Sequence, residues 1–221
     1  MDALRVQRQQ LVRLTPDGWS ALLAATPDEA MRPCLALWAE RGLPLVVTRQ
    51  PCGASEADEA IATGLPAPAR WQRRRLALAI APRHVLLLDA FPAGAAIARE
   101  LPRALAGPWR ALLGELSAAG CAPRVYGGYG WQALTRLAYV HAASDLDLLL
   151  PVDSMGQADA VVRVLSSTAW ADPRLDGELL FPDGGAIAWR EWAAWREGRT
   201  SAVLVKRLRG VALENPVAEF A

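Results

Sequence analysis

Two neighbouring stretches constrain this chain more than any others: Tyr126-Gly127-Gly128-Tyr129-Gly130-Trp131 and Ser144-Asp145-Leu146-Asp147-Leu148-Leu149-Leu150. The second is an apolar run unbroken by Gly or Pro, which predicts a buried strand. Residues two apart on a strand share a face, so Asp145 and Asp147 are expected side by side. Paired carboxylates repel and resist ionisation unless a cation lies between them. A hard, oxygen-ligated ion such as Mg²⁺ answers that repulsion and bridges to phosphate oxygens. The glycines permit close backbone approach, and Trp131 to Leu137 reads as a helix. A glycine turn at a helix N-terminus offers unpaired N–H groups to an anion.

A glycine pair at a strand-to-helix turn, followed by D-x-D on the next strand, resembles the nucleotidyltransferase superfamily. YGGYGWQALTRLAYV and SDLDLLL more narrowly resemble the malonate decarboxylase holo-[acyl-carrier-protein] synthases, which are phosphoribosyl-dephospho-CoA transferases. Arg174-Leu175-Asp176-Gly177-Glu178, Phe181 to Glu191 and Val203-Leu204-Val205-Lys206 extend the likeness over roughly residues 120 to 208. It implies a small mixed sheet with flanking helices and transfer of phosphoribosyl-dephospho-CoA from 2′-(5-triphosphoribosyl)-3′-dephospho-CoA. The acceptor implied is a serine of the apo acyl carrier protein subunit of malonate decarboxylase, with Mg²⁺ as cofactor and pyrophosphate as leaving group.

Composition excludes several other classes. The 221 residues carry a net charge of +1, without the basic excess of a nucleic-acid binder. There is no apolar run of membrane-spanning length and no signal-peptide core, so a cytoplasmic protein is expected. Cys34, Cys52 and Cys121 form no paired spacing, and with two histidines, His84 and His141, a zinc site is not expected. Lys206 is the one lysine among 24 basic residues. A GC-rich coding sequence explains the arginine excess, but a compact ammonium in a family-like segment is a candidate leaving-group contact. The plain alternative is a lysine at a strand end facing water.

Along the chain, residues 5–14 read as a strand, and 16–25 and 27–41 as helices. Thr15-Pro16 and Thr26-Pro27 supply their caps, Glu29 completes a capping box, and Gly42 is the stop. Residues 43–49 read as a strand, 50–70 as a loop with at most a short helix at Glu56–Glu59, and 76–80 and 85–88 as strands. Residues 1–90 are thus expected to form an α+β N-terminal domain, and 91–221 the nucleotidyltransferase-like α/β domain. In the latter, 94–106 and 108–119 read as helices and 124–126 as a short strand. Ser154 and Gln157 cap a helix over 155–169, and 174–181 and 185–190 form a hairpin across Pro182-Asp183-Gly184. Trp189, Trp192 and Trp195 lie at helical spacing, and a Pro-containing tail follows Lys206.

The candidate site residues follow from these placements. Asp145 and Asp147 are the expected metal ligands and catalytic carboxylates, and Gly127 and Gly128 the phosphate cradle. Asp176 is the candidate third carboxylate, as metal ligand or as base for the incoming hydroxyl, with Glu178 competing for the role. Arg73, Arg74 and Arg75 are candidates for gripping CoA-type phosphates, or else a solvated strand start. The tryptophans fit a core better than a stacking platform, His141 reads as a loop histidine and Ser144 as a cap. Two other readings stand beside this one: another metal-dependent nucleotidyltransferase acting on a small molecule or nucleic acid, and a non-catalytic binding module of the same fold.

Overall fold

The computed structural model describes residues 4–26, 28–51, 60–170 and 172–216. They form an α+β fold with two sheets, divided into two compact units. The first reaches Phe91 and takes in Leu137–Tyr139 and Leu208–Gly210; the second holds Pro92–Arg136, Val140–Arg207 and the segment from Val211.

The first unit comprises β1 (Leu11–Leu14), α1 (Pro16–Ala25), α2 (Arg32–Arg41), β2 (Leu45–Val47), β3 (Ile61–Pro66), β4 (Arg75–Ile80) and β5 (Val85–Asp89). Its sheet runs β4-β3-β2-β1-β5 and is antiparallel throughout. The start of α1 is as expected: Pro16 opens it and Thr15 Oγ1 accepts from Gly18 N at 3.1 Å.

Other expectations fail here for identifiable reasons. Thr26 does not cap α2; its hydroxyl bonds back to Leu22 O and ends α1. The capping work passes to Asp28, whose carboxylate accepts from Met31 N, so α2 starts at Arg32-Pro33. Pro27, Cys52 and the acidic piece Glu56–Glu59 lie outside the described residues. The first strand is Leu11–Leu14 alone. The expected loop over 50–70 contains β3, an interior strand. Gly64 and Pro66 disguise it, yet a β-carbon on Gly64 would sit 3.1 Å from Thr48 Cγ2, and Pro66 ends the ladder opposite Arg75.

The second unit holds α3 (Ala106–Ala118), β6 (Arg124–Val125), α4 (Gly127–Thr135), β7 (Leu146–Pro151), α5 (Met155–Ser167), β8 (Leu175–Leu180), β9 (Ala186–Ala188), α6 (Trp189–Arg196), β10 (Val203–Lys206) and β11 (Val211–Glu214). Its mixed sheet runs β11-β10-β9-β8-β7-β6. Among these strands only β7 and β8 are parallel, because α5 carries the chain across between them. Leu146, Leu148 and Leu150 point to one face of β7 and are fully buried among Val161, Leu165, Leu179 and Trp192. Each leucine removed from water contributes about 1.5–3 kcal/mol. That alternation turns Asp147 to the opposite face.

Ser154 caps α5 as expected, accepting from Gln157 N at 3.2 Å. The stretch 94–106 is two 3₁₀ turns, Gly94–Ile97 and Arg103–Leu105, rather than a helix, since Pro102 interrupts it. After Lys206 the chain returns as β11 instead of trailing off. No helix among the described residues is long and apolar enough to cross a membrane.

Candidate active site

The site is built where β7, β8 and the start of α4 meet. Strand β6 delivers the chain to Tyr126, whose N–H donates to Asp147 O at 3.0 Å. The helix then begins within the glycines themselves, four residues earlier than the sequence indicates. Gly127 has φ +60° and opens α4, and the first intrahelical bond runs from Gly130 N to Tyr126 O. The N–H groups of Gly127, Gly128 and Tyr129 therefore precede the hydrogen-bonded ladder.

Parallel pairing sets Asp147 opposite Asp176 in register, so their side chains share a face. Gly177 permits that pairing, because a β-carbon there would lie 2.3 Å from Leu148 O. Glu178 follows Asp176 on the same face of β8. Asp145 precedes β7 by one residue, so D-x-D is half strand and half approach to it.

Two of these carboxylates, Asp145 and Asp147, are shifted in opposite directions. Burial, then the charges of Asp176, Asp145 and Glu178, push Asp147 up to about 6. Asp145 is held below the usual carboxylate range, chiefly by hydrogen bonds from Arg174. Arg174 grips it with both ends of the guanidinium fork, Nε to Oδ1 at 3.1 Å and Nη2 to Oδ2 at 2.6 Å, and Nη2 also reaches Asp176 Oδ2 at 3.3 Å. Asp176 Oδ1 accepts from Gly177 N. Lys206 Nζ donates to Glu178 Oε1 at 2.8 Å, with Glu178 buried.

The structure thus gathers Gly127, Gly128, Asp145, Asp147 and Asp176, with Lys206 joined to them through Glu178. Lys206 and Glu178 occupy each other, which leaves Asp176 as the carboxylate beside Asp147. Arg73, Arg74 and Arg75 belong to the first unit and are exposed, Arg73 and Arg74 just ahead of β4 and Arg75 its first residue, with Arg74 paired to Asp28 at 2.6 Å. His141 and Ser144 close a loop on each other, His141 N donating to Ser144 Oγ. Sequence reasoning gave Arg174 no role. Its signal was available: Arg174 stands two residues before Asp176, hence on the same strand face.

The donor set suits a divalent cation. Asp147 is a half-buried carboxylate in like-charged company, Asp176 and Asp145 adjoin it, and all donors are hard oxygens. Among the described residues, no three acidic, imidazole or thiol groups already converge as a metal cage. In this arrangement Arg174 holds both oxygens of Asp145.

Comparison with known proteins bears on the whole chain. The family model for the phosphoribosyl-dephospho-CoA transferase MdcG C-terminal domain matches residues 87–216, and that for its N-terminal domain matches residues 7–90. The chain is 38% identical over 203 residues to the phosphoribosyl-dephospho-CoA transferase of Xanthomonas euvesicatoria pv. vesicatoria, covering 90% of this chain and 89% of the relative. It is 35% identical to the protein of that name from Bradyrhizobium diazoefficiens (93% and 88% covered), and 35% identical to that from Pseudomonas aeruginosa (83% and 82%). No solved structure matches. Two family models in tandem, with relatives aligned over most of their length, place this chain in the phosphoribosyl-dephospho-CoA transferase family.

Proposed function

We propose that the chain transfers phosphoribosyl-dephospho-CoA from 2′-(5-triphosphoribosyl)-3′-dephospho-CoA to a serine of the apo acyl carrier protein of malonate decarboxylase, in the cytoplasm, as a metal-dependent enzyme of nucleotidyltransferase type. The observation that carries this reading is the in-register pair Asp147 and Asp176 beside the glycine-built N-terminus of α4. Carboxylates and unpaired N–H groups together serve a reaction at a phosphate.

The serine hydroxyl attacks the α-phosphorus of the triphosphate, forming a phosphodiester as the bond to the departing pyrophosphate breaks. Asp176, in register beside Asp147, is the base in this reading, taking the hydroxyl proton. Asp145 and Asp147 would hold Mg²⁺, which supplies charge neutralisation and lowers the hydroxyl's pKa when bound. The N–H groups of Gly127, Gly128 and Tyr129 receive the outer phosphate oxygens, as helix N-termini receive anions. Arg174, which contacts Asp145 and Asp176 here, would balance the pyrophosphate charge once released from Asp145. Lys206 stabilises the acidic cluster from behind by neutralising Glu178.

Incubating apo carrier protein with the enzyme, the triphosphoribosyl substrate and Mg²⁺ tests the reading by intact-mass spectrometry. One added phosphoribosyl-dephospho-CoA per carrier supports it. An unmodified carrier with active substrate present rejects it.

A further inference from the structure

Two clefts in the second unit adjoin one another across Trp170 and Thr168. The larger, about 700 Å³, is lined by Arg174, Arg190, Arg199, Glu197, Trp170 and Trp189. The smaller, about 380 Å³, is lined mainly by Pro108, Ala111, Leu112 and Trp170, with Glu115 and Ser167 at its polar edge. Arg174 is the link to the carboxylates, since the same guanidinium binds Asp145 and forms part of the cleft wall.

The chemistry of the larger cleft is that of a nucleotide diphosphate site. Three guanidinium groups face one carboxylate, Glu197, which pairs with Arg199. Arg190 donates one nitrogen to Leu175 O at 2.7 Å and lies 4.1 Å over the Trp189 ring, which fixes its plane. Trp189 is buried, and its indole N–H has no hydrogen-bond partner among the described residues. Buried donors of this kind are rare in folded proteins. Trp170 has already given its N–H to Pro173 O, so only its ring is left to offer a ligand. The volume falls in the range usual for sites that enclose small molecules.

The smaller cleft differs in kind. Its walls are largely apolar, with hydroxyls and a carboxylate along one edge. This suits a slender chain of methylenes and methyl groups punctuated by amides.

We propose that the clefts together bind the dephospho-CoA portion of the substrate, the arginine-lined cleft taking its adenosine diphosphate and the apolar cleft its pantetheine arm. This rests on the function proposed above and assigns that substrate's two ends. The order of groups agrees: triphosphate at the carboxylates, then ribose and adenosine past Arg174, diphosphate between Arg190 and Arg199, and pantetheine beyond Trp170.

Titration calorimetry on the full chain in EDTA tests this, with dephospho-CoA and ADP as probes. Both lack the triphosphate, so neither needs the metal. Dephospho-CoA is expected to bind, and ADP to bind at least fivefold more weakly. Arg190→Gln and Arg199→Gln should each weaken dephospho-CoA at least fivefold. Ala111→Trp, at an exposed position on α3, should fill the apolar cleft and erase the difference between the two probes. Asp147→Asn should leave dephospho-CoA binding within twofold. The cleft assignment is overturned if both arginine variants bind dephospho-CoA as the wild type does, or if carrier transfer proceeds without measurable dephospho-CoA affinity. Binding that behaves as expected while no carrier is modified would instead sink the proposed reaction and leave the clefts standing.

Discussion

A β-carbon on Gly127 would lie 1.8 Å from Asp147 Oδ2, so the first residue of α4 is a glycine because the central carboxylate occupies its side-chain space. The position also has φ +60°, where any other L-residue is strained. Gly128 differs: a β-carbon there meets only Ser144 Oγ, at 3.7 Å. The two glycines are therefore unequal, and it is the first that the site cannot spare.

Gly127→Ala should lower stability by roughly 2–4 kcal/mol and displace Asp147, abolishing transfer. Gly128→Ala should be neutral or more stable by about 0.5–1 kcal/mol, since alanine is preferred to glycine within a helix. Urea unfolding of both variants decides the matter. Equal losses would show that the turn, not the carboxylate, demands the glycine.

Lys206 and Glu178 form a pair 2.8 Å apart, with side-chain exposures of 29% and 6%. Removing the ammonium takes the Lys206 ion pair from a buried carboxylate that lies beside three others. Lys206→Ala should therefore cost on the order of 3 kcal/mol. Lys206→Ala with Glu178→Gln should recover most of it, because the buried charge is gone. A double-mutant cycle by chemical denaturation measures the coupling. If Lys206 instead contacts a phosphate, the double variant will regain stability yet show a fall in kcat with the triphosphoribosyl substrate that Glu178→Gln alone does not.

Some of this was legible in the sequence and some was not. The unbroken Leu146–Leu150 run announced a buried strand, and the D-x-D spacing announced carboxylates at it. Proline, glycine and aspartate at 182–184 announced the hairpin. The register that puts Asp147 opposite Asp176 was not legible, because parallel pairing depends on how α5 packs back on the sheet. Nor was the partner of Lys206, since charge pairing between β8 and β10 is set by tertiary structure. The strand β3 stayed hidden because its residues, Ala62, Gly64 and Pro66, have loop-like propensities that burial in mid-sheet overrides.

The carboxyl of Asp147 moves from 3.8 to about 6 on folding, so the folded state binds its proton more tightly than the unfolded one does. Stability from this group is fully present below about pH 4 and is lost as pH rises through about 6. Above that the ionised carboxylate costs up to about 3 kcal/mol, at ~1.4 kcal/mol per unit. Asp147→Asn does not titrate. In EDTA it should exceed the wild type by about 1–3 kcal/mol at pH 7.5 and match it near pH 4. A variant less stable than the wild type at pH 7.5 would mean that the charge is already compensated.

Arg174 holds Asp145 through both carboxylate oxygens, yet its own side chain is 57% exposed. On the proposed reading, a cation at Asp145 and Asp147 competes with this guanidinium for the same oxygens. Arg174→Gln should therefore bind Mn²⁺ several-fold more tightly than the wild type, read by the loss of the free-ion signal in electron paramagnetic resonance. Lost positive charge alone also tightens binding, and Arg174→Lys separates the causes: it keeps the charge but cannot grip both oxygens. Competition for the oxygens predicts an affinity for Arg174→Lys between those of the wild type and Arg174→Gln. Bare charge predicts that it equals the wild type. Weaker Mn²⁺ binding in Arg174→Gln would reverse the assignment, making Arg174 a residue that orients Asp145 toward the metal while staying bound to it. The same variants separate the arginine's second task. If, as proposed, the displaced guanidinium turns to the triphosphate, Arg174→Gln should gain metal affinity and lose affinity for Mg²⁺-tripolyphosphate, two changes of opposite sign from one side chain.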